Sequence, residues 1–242
     1  MIVTSESIIL NSRKYGDTSK IITLYSMDYG KISVIAKGAR MPKNKFGSSL
    51  EPLSCTSATF YLKPNTELYL LSKSELNRKW IRIYNSIEHL SAGFAVIETI
   101  SITQFNKNPN PELYSLLYDT IDFINELPDN PKSVVIWFFC RFAEIMGFGL
   151  DLNFGGIVTS EVYTISIDNG MIIGLNNIAN NRIFKLNSEL LEKLSCINGV
   201  DIVQSTNYNL EKIEFATLNN FFSSYFSYHF DNKFVLKSGN LF

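Results

Sequence analysis

The sequence predicts an α+β protein of more than one domain: a five-stranded N-terminal β-barrel, then an α-helical domain with a small β-hairpin insert. Three observations carry this. The first third of the chain alternates β-branched and aromatic runs with turn residues. From about residue 80 apolar residues recur at helical spacing. Glycine and asparagine then interrupt the helical pattern between residues 149 and 156.

The barrel strands are predicted from segments rich in Ile, Val, Thr, Tyr and Phe. They are Ser7–Leu10, Lys20–Ser26, Lys31–Ala36, Cys55–Leu62 and Glu67–Ser72. Turn residues stand at two of the junctions between these strands: Asp28-Tyr29-Gly30 and Pro64-Asn65. Five strands in about seventy residues indicate a small closed barrel, for which the OB-fold and the SH3-like barrel are both candidates.

The helical domain begins where the apolar period changes. The residues with helical spacing are Ile83, Ile87, Leu90, Phe94 and Ile97. Asn110 and Pro111 form an N-cap and first-turn pair for a second helix. Asn130 and Pro131 repeat this signal before an apolar run that ends at Gly147, a predicted C-cap. The apolar run predicts a helix in the middle of a bundle.

The remainder predicts a hairpin and two more helices. Val162–Ile167 and Met171–Gly174 are the two strands, joined by a tight turn at 168–170. Ser188–Cys196 and Leu210–Phe230 have helical periodicity. The expected boundaries are 1–80 for the barrel, 81–148 for the first helical part, 149–185 for the insert and 186–242 for the C-terminal helices.

The charge is divided unequally along the chain. The net charge is −1, but residues 1–82 hold 13 Lys and Arg against six Asp and Glu, a balance of +7. The remaining residues hold 9 bases against 17 acids, a balance of −8. Such asymmetry between the two ends of a chain predicts a polyanionic partner for the basic end.

Catalytic and metal chemistry have little support in the sequence. No dinucleotide-binding, P-loop or nucleophile-elbow motif occurs. Cys55, Cys140 and Cys196 stand singly, and His89 and His229 lie far apart within apolar helical patterns. We therefore expect no enzyme activity, no metal and no cofactor. The N-terminal apolar run is too short for a signal peptide or a membrane span, which predicts a cytoplasmic protein without a membrane partner.

The candidate binding site is the segment KISVIAKGARMPKNKFGSS. Its cations are Lys31, Lys37, Arg40, Lys43 and Lys45, with no acid among them. Arg13 and Lys14, beside Tyr15, add to the basic end of the chain. Cations on a loop suit a phosphate backbone. Phe46 lies among them and is predicted to be exposed, where an aromatic ring can stack on a base.

The string NSRKYGDTSKIITLYSMDYGKISVIAKGARMPKNKFGSSLEPL resembles the start of proteins of the RecO family in the order and spacing of its motifs. These include the Tyr-Gly-Lys turn, the Ala-Lys-Gly-Ala-Arg element and Leu-x-Pro. The resemblance continues more weakly through 110–113 and 146–148 to the pairs at 228–229 and 237–238. It implies an OB-fold followed by a helical domain with a small insert.

The resemblance also implies a function. Its expectations are binding of single- and double-stranded DNA, annealing of complementary strands, and action at the nucleoid with RecR, RecF, RecA and the C-terminal tail of single-stranded-DNA-binding protein. The tail is expected in an apolar pocket rimmed by Arg141 or Arg182. Many relatives carry a four-cysteine zinc module after the position of Gly147 and Phe148, but this chain has no Cys between 141 and 195.

Two other classes of function remain open at this point. A basic barrel with exposed aromatic residues also suits an RNA-binding module on a helical scaffold. A protein-interaction scaffold whose basic end binds an acidic protein is the second alternative.

Overall fold

The structure, a computed structural model, describes residues 1–127, 129, 131–152, 161–173 and 182–238. Five strands begin the chain: β1 (Ile2–Tyr15), β2 (Ser19–Ser26), β3 (Gly30–Ala36), β4 (Ser54–Tyr61) and β5 (Leu68–Lys79). They overlap the five predicted segments. β1 is longer than predicted because its first half pairs with β4 and its second half with β2, with a register shift between Ile9 and Asn11.

The strand pairings close on themselves in the order β1-β2-β3-β5-β4. All pairs are antiparallel except β3 with β5, which is parallel and comprises only three residue pairs, from Ser33↔Leu68 to Ile35↔Leu70. This short seam is typical of the partly open, five-stranded OB-fold barrel. The predicted fold class is confirmed. Of the two candidate barrels, this strand order is that of the OB-fold and not of the SH3-like barrel.

Alternate residues of the strands fill the barrel, because successive side chains of a strand point to opposite faces. The members of the core include Ile9, Ile22, Leu24, Val34 and Phe60. Ala39, Phe46 and Leu50, from the connection between β3 and β4, pack against the same core. Phe46 is 4% exposed, so the prediction that its ring is exposed is wrong. Burial of an aromatic ring in an apolar core is strongly favourable, and it outweighs the loop's polar composition.

The helices follow the predicted order. A 3-10 turn (Arg82–Asn85) precedes α1 (Ile87–Thr103), α2 (Pro111–Glu126) and α3 (Lys132–Ile145). The Asn110 Oδ1 atom accepts a hydrogen bond from the Leu113 amide at 3.0 Å, which confirms the N-cap of α2. The C-cap of α3 is Met146, one residue before the predicted Gly147, and Gly147 has the left-handed φ of +86° that often follows a helix end. Asn130 lies outside the described residues.

After α3 come a small sheet and three helices: β6 (Val162–Ser166), β7 (Ile172–Ile173), β8 (Ile183–Asn187), α4 (Ser188–Gly199), α5 (Ile202–Ser205) and α6 (Lys212–His229). β6 and β7 form the predicted hairpin, whereas β8, on the other edge of β6, was not predicted. Residues 153–160 and 174–181 of the expected insert lie outside the described residues. No helix within the described ranges is long and apolar enough to cross a membrane.

Contacts divide the chain into two compact units, one of residues 1–85 and 96–125 and the other of residues 86–95 and 126–242. This division differs from the expected boundary at residue 80, because α2 belongs to the unit of the barrel. Tyr25 of β2 stacks on Tyr114 of α2 with ring centroids 6.4 Å apart. Trp80 Nε1 donates a hydrogen bond to Asp122 Oδ1 at 2.8 Å.

Candidate nucleic-acid interface

The connection between β3 and β4 carries most of the predicted DNA-binding cations. It spans residues 37–53 without a helix or strand, and loops longer than about 12–15 residues are uncommon unless they have a function. We call residues 37–46 the basic loop. Its cations Lys37, Arg40, Lys43 and Lys45 are all exposed.

Arg40 fixes the basic loop to the turn between β1 and β2. Its Nη1 atom donates a hydrogen bond to the carbonyl oxygen of Gly16 at 2.9 Å. Its amide donates to the carbonyl oxygen of Thr18, also at 2.9 Å. This turn directly follows the last residues of β1, where Arg13 and Lys14 are exposed. The two stretches of cations that the sequence predicted separately are therefore neighbours at one end of the barrel.

The second half of the basic loop is held by a turn and by Phe46. The Asn44 Oδ1 atom accepts hydrogen bonds from the amides of Phe46 at 3.0 Å and Gly47 at 2.9 Å. Lys45 lies along the barrel: its Nζ atom is 5.1 Å from the centroid of the Phe46 ring and donates a hydrogen bond to the carbonyl oxygen of Ser72. Because the loop is anchored by buried residues, its cations are presented from a fixed backbone.

The cations of this end differ in whether a carboxylate neutralises them. Lys20 Nζ forms a salt bridge with Glu51 Oε1 at 2.9 Å. Among the residues that the structure describes, no carboxylate forms a salt bridge with Arg13, Lys14 or any cation of the basic loop. No carboxylate within the described residues therefore competes with a polyanionic ligand for these side chains.

Lys31 does not belong to this surface, contrary to the prediction that it projects with the other cations. It lies at the start of β3, whereas Lys37 follows its end, and six residues of strand span about 20 Å. The Lys31 Nζ atom donates a hydrogen bond to the carbonyl oxygen of Ser101 at 2.9 Å. Burial lowers the pKa of Lys31. The Lys31 ammonium is therefore bound to the backbone of its own unit, whereas the cations of the basic loop are exposed.

The sequence analysis missed Lys63, which follows β4. Its side chain lines a cavity of about 490 Å³ together with Lys37 of the basic loop. The only sequence signal was a lysine beside the predicted Pro64-Asn65 turn. Lys63 lies near Lys37 because β3 pairs with β5 in parallel. The sequence pattern does not specify this pairing.

In the helical unit, Arg182 and Arg141 have different surroundings. Arg182 lines an open cavity of about 760 Å³, and its guanidinium carbon is 4.9 Å from the centroid of the Tyr228 ring. The other lining residues are Ile167, Ile183, Ser224, Ser227, Tyr228, His229 and Asp231. The cavity is therefore mixed in character and not the apolar pocket that was expected.

Arg141 is engaged inside the helical unit. Its Nη2 atom donates hydrogen bonds to the carbonyl oxygen and, at 3.1 Å, to the Oδ1 atom of Asn198. Its Nη1 atom is 2.7 Å from Glu144 Oε2. These contacts hold α3 to the end of α4, so the guanidinium already has three acceptors.

The His, Cys, Asp and Glu side chains of the described residues bear on metal binding and on nucleophilic chemistry. Within those ranges no three His, Cys, Asp or Glu side chains group so that they could hold a metal ion. Burial raises the pKa of the Cys55 and Cys140 thiols to about 12. A thiol with so high a pKa has very little of the thiolate form that acts as a nucleophile.

Comparisons with known proteins cover nearly the whole chain. The family model described as "Recombination protein O N terminal" matches residues 1–80, and "Recombination protein O C terminal" matches residues 84–237. The DNA repair protein RecO of Chloroherpeton thalassium is 27% identical over 100% of this chain and 98% of its own length.

Other relatives are matched over part of their length. The DNA repair protein RecO of Salinibacter ruber is 30% identical, over 60% of this chain and 56% of the relative. That of Rhodopirellula baltica is 34% identical, over 49% of this chain and 44% of the relative. In these two alignments the chain spans only about half the length of the relative.

Proposed function

The chain belongs to the RecO family, whose members are DNA repair and recombination proteins, and from this premise we propose that its N-terminal barrel binds single- and double-stranded DNA and anneals complementary strands. The names of the relatives favour DNA over the RNA alternative. The proposed role is that of a mediator that acts at the nucleoid by binding, without a covalent step.

One observation carries the proposal: Lys37, Arg40 and Lys43 are exposed and free of carboxylate partners within the described chain, on a loop whose backbone is fixed. Arg40 ties this loop to the turn that follows Arg13 and Lys14. Five cations at one end of a barrel form a surface that attracts phosphates and releases their counterions.

Annealing follows from the same electrostatics. Two complementary strands repel each other through their phosphates, and a surface that neutralises several phosphates lowers that repulsion while the bases search for their partners. The base pairing itself supplies the favourable free energy. The protein therefore needs no nucleophile, no metal and no cofactor for this activity.

The helical unit is proposed to bind protein partners. RecR, and in some settings RecF, would act with this protein to help load RecA. The cavity beside Arg182 is the candidate site for the C-terminal tail of single-stranded-DNA-binding protein, because an arginine that lines a cavity can pair with a terminal carboxylate. Asp231 lines the same cavity. Its carboxylate would repel the terminal carboxylate of the tail, so that the tail would bind with its terminus on the side of Arg182.

The test is a titration of labelled single-stranded DNA at several salt concentrations, with annealing of complementary oligonucleotides scored in the same samples. If about five phosphates are neutralised, the slope of log affinity against log salt is about −3.5. The combined variant Lys37→Glu/Arg40→Glu/Lys43→Glu is expected to lose most of the affinity and the annealing.

The matched control is Lys212→Glu/Lys233→Glu/Lys237→Glu. It reverses three exposed cations of the helical unit and changes the net charge by the same amount. It is expected to retain binding and annealing. A salt slope near zero, or equal losses in the two triple variants, would overturn the proposal.

A further inference from the structure

A row of residues runs around the outside of the barrel at the end that carries the basic loop. The strand register aligns Ile21 with Ile35, Ile35 with Leu70, and Leu70 with Tyr61. Arg13 continues the row at Ile21. Because Ile22, Val34, Leu71 and Phe60 fill the barrel core, their neighbours in this row lie on the opposite face of the strands, where Ile21 is nevertheless buried. Tyr61 and Leu70 are each 36% exposed.

The middle of this row is a cavity and not a flat surface. The cavity has a volume of about 490 Å³, within the range of about 300–1,000 Å³ that is usual for small-ligand pockets. Its lining is Ile35, Lys37, Tyr61, Lys63, Thr66, Leu68, Tyr69 and Leu70. The apolar and aromatic members form its wall, which is the environment that suits a planar aromatic group.

The charged residues that line the cavity are all cations. Lys37 lines it from the basic loop and Lys63 from the connection between β4 and β5, and no carboxylate is among the lining residues that the structure describes. A third cation, Lys107, donates a hydrogen bond to the carbonyl oxygen of Thr66 at 2.8 Å. Its Nζ atom lies 5.4 Å from the centroid of the Tyr69 ring. An apolar cavity flanked by cations is complementary to a planar group that carries a phosphate on each side.

We propose that this cavity receives one unstacked base of single-stranded DNA, with Tyr61 as its stacking surface and Lys37 and Lys63 holding the flanking phosphates. The inference rests on the proposed function and specifies it further. It assigns to Tyr61 and Leu70 the base contact that the sequence analysis assigned to Phe46.

The cavity would let this barrel distinguish single strands from duplex. The bases of a duplex are stacked and paired, so that one of them reaches a pocket only after it is flipped out, which costs a few kcal/mol. A single strand presents its bases without that cost. The basic loop can contact the phosphates of either form, whereas the cavity contributes only for the single strand.

The experiment compares two single-stranded ligands with the same phosphates. One is an oligothymidylate of about 12 nucleotides, within the site sizes of OB-folds, and the other is a fully abasic strand of equal length. Each is titrated, beside a duplex, against the full-length wild type, Tyr61→Ala and Tyr61→Phe. We expect the wild type to bind the oligothymidylate at least about fivefold more tightly than the abasic strand, since one stacked base contributes that much.

Tyr61→Ala is expected to lose this preference and to bind the oligothymidylate and the abasic strand alike. Its affinity for the abasic strand and the duplex should remain within about twofold of wild type, because stacking and phosphate contacts are separate terms. Tyr61→Phe keeps the aromatic face and should restore the preference. Leu70→Ala should weaken it, whereas Leu76→Ala, a control on the same strand with a leucine that is 42% exposed, should leave it unchanged.

The outcomes separate the two proposals. If the wild type binds neither ligand, or binds without salt dependence, the DNA-binding function itself fails. If the wild type binds with the expected salt slope but does not prefer bases to abasic residues, or if Tyr61→Ala keeps that preference, only the base-binding cavity is refuted. Retained melting temperatures of the four variants establish that they are folded.

Discussion

The Lys20 ammonium lies 2.9 Å from the Glu51 carboxylate, and this ion pair neutralises a cation at the basic end of the barrel. Glu51 is the sole acid in the connection between β3 and β4. Lys20 is the Cα partner of Lys14 on β1 and of Ala36 on β3, so it stands between the two stretches of unpaired cations. The pair therefore limits how many phosphates this surface can neutralise.

Glu51→Gln is expected to raise the affinity for single-stranded DNA, because it removes a negative charge and releases Lys20 to a phosphate. The slope of log affinity against log salt should steepen by up to about 0.7, the contribution of one additional phosphate of a single strand. The control is Glu192→Gln, an exposed acid on α4 with the same change of net charge. Equal effects of the two substitutions would contradict a local role of Glu51.

Phe46→Ala is expected to destabilise the protein and not to act through lost base stacking. Its ring is 4% exposed within the barrel core, and truncation of a buried Phe costs about 3–5 kcal/mol. Urea unfolding measures this change. Tyr15→Ala, at a ring that is 50% exposed, should change the free energy of unfolding by less than about 0.5 kcal/mol. A Phe46→Ala protein of wild-type stability that has lost single-strand binding would restore the first interpretation of Phe46.

His229 is expected to make the stability of the helical unit dependent on pH. Its ring stacks on Phe148 with centroids 4.3 Å apart. Burial lowers the pKa of His229, and this effect is opposed by a backbone hydrogen bond with Ile167 and by the nearby charge of Asp168. The unfolded chain, with the ordinary pKa of about 6.5, binds the proton more readily than the folded protein does.

The free energy of unfolding should therefore fall as the pH falls through about 6.5 towards the lower folded pKa, and should be free of this penalty above about 6.5. His229→Phe keeps a ring against Phe148 but has no proton to bind. The free energy of unfolding is measured with urea at about pH 7.5 and about pH 5.5. We expect the difference between the two values to be smaller for His229→Phe than for wild type. An unchanged difference would assign the pH dependence to other groups.

Arg182→Ala is expected to weaken binding of a synthetic peptide with the C-terminal sequence of single-stranded-DNA-binding protein. A hydrogen bond to a charged group contributes about 1.5–3 kcal/mol, so the affinity should fall about tenfold or more. Arg141→Ala is the matched control in the same unit. It should leave the peptide affinity unchanged and lower the free energy of unfolding, because Asn198 loses its bonds with Arg141. The opposite pattern would assign the tail to Arg141.

The regular elements could be predicted because their signals are local. Alternation in the first third of the chain and helical spacing after it determined the strands and most of the helices. The cap at Asn110 and the left-handed residue at Gly147 were predicted from residue type alone, since each depends on a few neighbouring backbone atoms. β8 was not predicted, because it pairs with β6 and the two strands are about twenty residues apart in the sequence.

The sequence by itself determined the amount of positive charge at the N-terminal end and the loop that carries it. Only the tertiary structure decided which cations and rings are available. Lys31 bonds to Ser101, 70 residues away, and Lys20 to Glu51, 31 residues away. Phe46 fills the barrel core, while Tyr61 faces outward beside Lys63. Burial and charge pairing depend on contacts between segments that are distant in the sequence. Such contacts cannot be predicted from a local sequence pattern.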